Sequence, residues 1–525
     1  MTAVTDTSVD AELEPEVTGA RVARNTVYNG ADRFVGAILA LLLTPFLLHN
    51  LGNEEYGIWA LATALTFGSG YLSLAELGLQ QASVRFIAVA RSRGDKKAVS
   101  EIVSVTFFFY LALGVVLAVV IAGSASLLTR LFNVSPGFEH TATIVFILVG
   151  VQVAADLPAS GLLAVVEGAQ RYGTIRAIDI SDRIAWAGLS VILVWRGHGV
   201  TAIAAVSLVI ALVVLLVTYV AAKRTEPSLR LDPRLMKMQT LRTTFRSSSS
   251  MMGIRVLGVV YSQMDRTVIG IMLAASAVAS YEVAWKIHSL AAIVLGIAPS
   301  AVMPAAAYLH ASSDRARLRD LYLRGTRYAV GLCLPLCVAG MIYAGCIIRT
   351  WVGPEYLDVT TSARLFLVYP ALAIALVVGQ SMLMGLGRMR RMLSFHAIAV
   401  ALNLAISISL VHWLGIAGVI WGTIAAYVVL WVPFTQLFFK EFDVGLGEWT
   451  SHVLLPVVPA VVVQTLVGVA SLQWVDNFDR LWQVGVVFVA DYLVAVAVFL
   501  AIGGRGELSR LRAILSRPSV PAPST

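Results

Sequence analysis

Asp265 and Arg266 sit side by side within residues 253–275, an otherwise apolar run of helix length. An ionised group at the centre of a membrane helix costs roughly 2.5–3.5 kcal/mol on insertion scales, so such residues face a bundle interior or a watery cavity. Neighbours in sequence point about 100° apart on a helix and cannot pair face to face, so each needs a partner from another span. Either both charges are tied to polar groups on neighbouring helices, or they meet a solute. In the second case the guanidinium can recognise an anion and the carboxylate can exchange a proton or another cation. Burial and the neighbouring cations Arg255, Arg266 and Lys286 act on the carboxylate in opposite directions, which leaves its resting state open.

Polar residues recur at spacings of three and four in four stretches, which places them on single helix faces. The first shows Asn25, Asn29, Asp32 and Gly36; the second Ser69, Ser73, Glu76, Gln80 and Ser83. The third shows Arg255, Gly258, Ser262 and Arg266, and the fourth Glu282, Lys286, Ser289, Gly296 and Ser300. Such faces either line a shared cavity or join helices through small and polar groups. Glu282 and Lys286 are also placed to satisfy each other at i, i+4. Gln152, Asp156, Asp179, Asp182, Arg183 and Asn403 are polar too and read as packing or supporting groups. His288 points away from Lys286 and reads as structural.

The elements that position these residues are membrane spans. With 525 residues, 58% of them hydrophobic and 13% charged, and a mean hydropathy of +0.81, the chain has the composition of a polytopic membrane protein. The expected fold class is all-α integral membrane. Apolar runs long enough to cross the bilayer fall at about 27–50, 57–81, 103–123, 142–166, 178–195, 200–222, 249–274, 281–309, 328–348, 363–386, 394–412, 416–438, 452–470 and 484–502, about fourteen in all. Prolines 45, 158, 299, 304, 335 and 370 lie within them and predict bends.

Lys and Arg set the orientation, because they accumulate in short cytoplasmic loops. With the amino terminus inside, 29 of the 39 fall on the cytoplasmic side, and both termini are expected there. The net charge of +8 is thereby explained by topology and anionic lipid rather than by nucleic acid. Cys333, Cys337 and Cys346 lack His or acidic companions at ligand spacing, so they read as packing residues, and no metal or cofactor site is expected.

The sequence also repeats itself. Residues 127–149 parallel 347–368, residues 168–195 parallel 385–412, and Asp95 corresponds to Asp314, all at offsets near 218. A unit of about 220 residues with six spans gives two copies of the same orientation. The expected organisation is a disordered cytoplasmic tail (1–20), an N-terminal six-helix bundle (21–222), a basic linker along the membrane surface (223–248), a C-terminal six-helix bundle (249–440), two further spans (441–502) and a cytoplasmic tail (503–525). Asp32-Arg33 is not the twin of Asp265-Arg266. Aligning Tyr56 with Tyr281 pairs Asp265 with Ala40 instead, and the two charge pairs lie at different depths.

Three segments carry a resemblance: Leu51-Gly52-Asn53-Glu54-Glu55-Tyr56-Gly57, Leu77-Gly78-Leu79 followed by Arg85, and Asp265-Arg266 four residues before Gly270. With the repeat and the span order, they look like polysaccharide-type flippases of the multidrug, oligosaccharidyl-lipid and polysaccharide exporter superfamily. The resemblance covers about residues 20–502. It implies a V-shaped pair of bundles around a cavity lined by spans one, two, seven and eight. It also implies alternating-access transfer of an undecaprenyl-diphosphate-linked oligosaccharide from the inner to the outer leaflet of the cytoplasmic membrane. Arg33, Arg255, Arg266 and Lys286, with Gln80, are then the substrate-binding candidates. Asp265, followed by Glu76, is the candidate for coupling to a proton or sodium gradient. Membrane lipid and a polysaccharide polymerase are the prospective partners.

Two competing functions were weighed. A multidrug extruder of the same superfamily would want an acidic, aromatic cavity for cationic drugs, against which Arg266 and Lys286 speak. An integral-membrane glycosyltransferase or polymerase would need carboxylates or bases on a sizeable outer loop, whereas all outer loops here are short. Neither a DxD nor a Walker A sequence occurs, so nucleotide-sugar metal chemistry and ATP hydrolysis are not indicated. The chain is expected not to be an enzyme.

Overall fold

A computed structural model describes residues 19–66, 70–296 and 298–503, which form helices and turns only. The chain runs through α1 (Gly19–Leu65), α2 (Leu79–Ser92), α3 (Lys96–Leu131), α4 (Glu139–Gly168), α5 (Tyr172–Trp195) and α6 (Val200–Thr225). It continues through α7 (Met238–Met272), α8 (Ala275–Leu295), α9 (Ala298–Ala311), α10 (Arg315–Trp351), α11 (Thr360–Gly385), α12 (Met389–Leu414) and α13 (Ile416–Phe442), and closes with the short α14 (Leu446–Trp449), α15 (Val458–Val475) and α16 (Leu481–Gly503). Apart from Gly19, Ala20 and Gly503, the expected tails lie outside the described residues.

Nine of the expected spans, the third, fourth, sixth and ninth to fourteenth, are long and apolar enough to cross a membrane among the described residues. The other five are the first, second, fifth, seventh and eighth. Four of these carry the polar stripes, and the fifth holds Asp179, Asp182 and Arg183. Exposed Val119, Leu212, Val429, Leu466 and Val486 give the outer surface its apolar character. Trp195, Trp413, Trp474 and Trp482 are 63–85% exposed at one end of the bundle, as amphipathic rings at a membrane–water boundary would be.

The two aspartates that the sequence offset pairs share their local geometry. Asp95 caps α3 by accepting from the Ala98 amide (2.9 Å), and Asp314 caps α10 by accepting from the Arg317 amide (3.0 Å). Their backbone angles agree within a few degrees (φ −82°, ψ 81° and φ −84°, ψ 79°). Each cap satisfies a helix-end amide that would otherwise be unpaired.

Three departures from the expected spans have local causes. The backbone of α1 breaks at Gly52 (φ 74°, ψ 173°), which separates the first span from the second. The second is not one continuous helix to residue 81. Its helix ends at Leu65, a 3-10 turn covers Tyr71–Glu76, and Leu77 and Gly78 turn left-handed (φ 52° and 70°) before α2 begins. The polar stripe is therefore split, and Ser69 lies outside the described residues. The eighth span is divided into α8 and α9. Moreover, α7 begins at Met238, and the segment before it packs on α3: Ser104 Oγ donates to the Arg230 carbonyl (3.0 Å), Lys237 pairs with Glu101 (2.6 Å), and Leu229 is fully buried.

The two halves share one apolar core at the Gly52 end, where Leu47, Leu48, Ile58 and Leu61 meet Val283, Ile287, Ile348 and Trp351. Trp351 Nε1 donates to the Leu41 carbonyl (2.7 Å), the Tyr356 hydroxyl to Asn53 Oδ1 (2.5 Å), and Asn133 Nδ2 to the Ile271 carbonyl (2.6 Å). Gly57 lies so close to the Ala275 carbonyl that a Cβ there would collide with it. Toward the opposite end the apolar clusters are separate, one around Ile87, Val103 and Val165 and another around Tyr322, Leu383 and Phe438. The halves are thus joined by a shared core at the Gly52 end, and elsewhere they touch through α7, whose Leu241 and Phe245 pack beside Leu79, Tyr110 and Leu157 and whose Arg255 pairs with Glu76.

Candidate functional site

The segment containing Asn53, Glu54, Glu55 and Tyr56 is a connector. Glu54 Oε1 accepts from the Ser135 amide (2.7 Å), and Glu55 Oε2 accepts from the Val200 amide (2.8 Å) at the start of α6. A carboxylate there meets the positive end of the helix dipole and satisfies an orphan amide. This short motif therefore ties α1 to the α3–α4 turn, to α6 and, through Asn53, to the other half.

Asp265 and Arg266 do find partners on other helices. Arg266 forms an ion pair with Glu282 of α8, donates to Gln263 Oε1 (2.9 Å), and its guanidinium carbon lies 4.6 Å from the Trp285 ring centroid. It is 8% exposed. Glu282 is thus engaged across helices by Arg266, and its expected pairing with Lys286 along α8 is not the ion pair that forms. Asp265, also buried, accepts through Oδ2 from the Tyr281 hydroxyl of α8 and the Thr423 hydroxyl of α13, both at 3.3 Å. Its Oδ1 has no hydrogen-bond donor among the described residues. Beside it, Asn403 Nδ2 of α12 donates to Thr423 Oγ1 (3.1 Å), and Ser407 donates to Asn403 Oδ1 (2.8 Å) and to the Val419 carbonyl (3.2 Å). The result is a buried nest of oxygens around one carboxylate.

Glu76 forms an ion pair with Arg255 of α7 and is buried, whereas the Arg255 side chain is a third exposed. The Tyr110 hydroxyl donates to the Glu76 carbonyl (2.7 Å) and accepts from the Gln80 amide (3.0 Å), holding the left-handed turn between them. Gln80 Nε2 reaches Glu167 at 3.4 Å. The backbone of Arg33 runs in α1, but its side chain lies outside the described residues.

Two adjoining cavities lie along α1. One, about 210 Å³, is lined by Thr44, Tyr56, Trp59, Arg183, Trp186 and Lys286 among others. The second, about 240 Å³, shares Trp59, Arg183 and Trp186 and adds Gln152, Asp156, Asp182 and Ser207. Trp59 and Trp186 stack with centroids 5.8 Å apart and planes 15° from parallel, and Trp186 Nε1 donates to Ser207 Oγ (2.8 Å). Gly36 leaves room for the Arg183 guanidinium against α1, since a Cβ there would strike it.

Of the residues singled out in the sequence, Lys286 lines a cavity, Arg255 and Arg266 are matched with carboxylates, and Asp265 is enclosed. Arg183, Asp156, Asp182 and Asn403 had read as supporting groups. A usable signal was present for Arg183: Trp186 stands three residues later on the same face of α5. The fifth helix joins the first and the eighth around the first cavity. Among the described residues, no three His, Cys, Asp or Glu side chains converge as metal ligands.

Comparison with known proteins matches residues 46–361 to a family described as polysaccharide biosynthesis protein. A putative O-antigen transporter from Shigella flexneri is 21% identical over 337 residues, 64% of this chain and 78% of that protein. A probable low-salt glycan biosynthesis flippase, Agl15, from Haloferax volcanii is 23% identical over 467 residues, 86% of this chain and 92% of that one. Among solved structures, the lipid II flippase MurJ in an inward closed conformation superposes with a TM-score of 0.65 at 12% identity, covering 94% of this chain and all of that chain. That likeness concerns the fold.

Proposed function

Because the chain belongs to the polysaccharide biosynthesis protein family, we propose that it is a multi-pass flippase of the cytoplasmic membrane, not an enzyme, moving an undecaprenyl-diphosphate-linked oligosaccharide from the inner to the outer leaflet by alternating access. The observation that carries the substrate class is the first cavity, whose lining joins Arg183 of α5 and Lys286 of α8. A guanidinium and an ammonium in a partly desolvated cleft suit a diphosphate, the first by forked hydrogen bonds and the second as a compact charge. Arg33, Arg255 and Arg266 remain candidates for the same path, Arg255 through its exposed flank and Arg266 through exchange of Glu282 for substrate.

All fourteen apolar stretches cross the membrane in this reading, and both termini are cytoplasmic. The joined Gly52 end is then external, and the two separate cores lie toward the cytoplasmic side. Single cysteines at Asn53 and Arg93, in a background without native cysteines, test the orientation with an impermeant thiol reagent on intact cells. Labelling at Asn53 alone is expected, and labelling at Arg93 alone would invert it.

Asp265 is the coupling group in this reading. Its unfilled Oδ1 and the surrounding Tyr281, Asn403, Thr423 and Ser407 oxygens suit a proton or a sodium ion. Glu76, already matched by Arg255, comes second. Substrate that draws Arg266 toward its phosphates changes the field at Asp265 and so links the two movements. The function itself is tested by deleting the gene and measuring lipid-linked oligosaccharide in the inner leaflet. Accumulation there, relieved by the wild-type gene, is expected, and an unchanged pool would remove the flippase assignment.

One observation favours a second reading. The second cavity is acidic and aromatic, as a cationic-drug exporter would require. Drug accumulation measured in the same deletion strain separates the two.

A further inference from the structure

The second cavity has no role in holding a diphosphate, since Asp156 and Asp182 would repel it. Its contents nevertheless form a coherent set. The stacked indoles of Trp59 and Trp186 supply an apolar wall, and Ser207 fixes the tilt of Trp186. Gln152 Nε2 donates to Asp156 Oδ2 (3.1 Å), whereas the buried Gln152 Oε1 has no hydrogen-bond partner among the described residues. Asp156 and Asp182 add acceptors on the same lining. An aromatic face bordered by acceptors that need donors is complementary to a pyranose, whose ring presents C–H bonds on its faces and hydroxyl donors around its edge. A volume of about 240 Å³ falls below the roughly 300 Å³ at which pockets for drug-sized ligands begin, and so suits a single ring.

We propose that this cavity holds one sugar ring of the lipid-linked glycan, and that the ring is neutral or amino-bearing rather than a uronic acid. The inference rests on the flippase reading and deepens it. The two cavities share Trp59, Arg183 and Trp186, so a ring in one lies next to phosphates in the other, in the order in which a sugar follows a diphosphate along the substrate. Two carboxylates on the sugar side set like charge against a uronate and opposite charge against an ammonium sugar. A cation without N–H or O–H groups leaves the orphan Gln152 oxygen without a donor, whereas a sugar hydroxyl supplies one.

The test uses the full chain in nanodiscs and saturation-transfer difference NMR with three probes, methyl glucoside, methyl glucosaminide and methyl glucuronide. Transfer to the first two is expected, with the glucuronide at least about tenfold weaker. Asp182→Asn should narrow that ratio, and Trp186→Ala should abolish transfer, with thermal unfolding confirming that each variant is folded. If Trp186→Ala does not fold, Ser207→Ala, which only frees the indole, should weaken transfer instead. Binding of tetraphenylphosphonium in place of the sugars, equal transfer to all three, or transfer to none overturns the proposal. The deletion strain's inner-leaflet pool is read in parallel. Accumulation there without sugar binding removes only this inference, whereas no accumulation removes the flippase reading beneath it.

Discussion

The surroundings of Asp265 and Arg266 and the cavities beside α5 treat buried charge differently. In the C-terminal half, Arg266 is matched by Glu282 and Asp265 is wrapped by hydroxyls and an amide. Beside α5, Asp156, Asp182 and Arg183 line cavities together with Lys286 of α8. Paired charges in a low-dielectric core mainly fix a geometry, because their desolvation cost absorbs most of their attraction. Charges on a cavity wall keep their capacity for a ligand. The role of each charge therefore follows from whether it is enclosed by the core or borders a cavity.

The contrast is broken most forcefully at the C-terminal pair. Glu282→Gln leaves Arg266 buried without its counter-charge and should cost about 3–5 kcal/mol, read as a lower unfolding temperature in detergent and reduced abundance. Arg266→Gln combined with Glu282→Gln should recover most of that loss. A single variant as stable as wild type would place Arg266 with the cavity cations rather than in the frame. Arg183→Ala and Lys286→Ala should show the reverse pattern, with normal abundance and export of glycan lowered about tenfold each, the scale of one charged hydrogen bond. Equal loss of folded protein at the Arg266–Glu282 pair and at the cavity residues would erase the distinction.

A subtler variant separates binding from coupling. Asp265→Asn should leave abundance and substrate binding near wild type while removing the dependence of transport on an imposed ion gradient in reconstituted vesicles. A wild-type gradient response would move the coupling role to Glu76. The smallest effect belongs to the feature the halves share: Asp95→Ala and Asp314→Ala should each cost about 1 kcal/mol, and the two losses should match. Unequal losses would show that the repeat is not energetically equivalent even at its most similar point.

Much of the frame was legible. Hydropathy located the helices, the offset near 218 identified matching caps, and the insertion cost of Asp265 and Arg266 demanded partners on other spans, which Glu282, Tyr281 and Thr423 provide. The breaks were harder. Nothing in Leu77 announces a left-handed residue, because the Tyr110 hydroxyl, thirty-odd positions away, stabilises that turn through the Glu76 carbonyl and the Gln80 amide. The choice of Glu282 by Arg266 over Lys286 depended on how α7 meets α8, which a helix-face argument along α8 alone does not contain. Arg183 reads in the sequence as a supporting group beside Asp179 and Asp182. Its access to a cavity depends on Gly36, a glycine on a helix 147 positions earlier.

The shared core at the Gly52 end has a thermal consequence. Ile58, Leu61, Val283 and Ile348 are fully buried there, so the proposed alternation of access requires that apolar surface enter water or be exchanged for burial at the other end. Apolar contact weakens on cooling and carries a large heat-capacity change. The balance between the two access states should therefore curve with temperature, and cold should loosen the joined end before it disturbs either bundle.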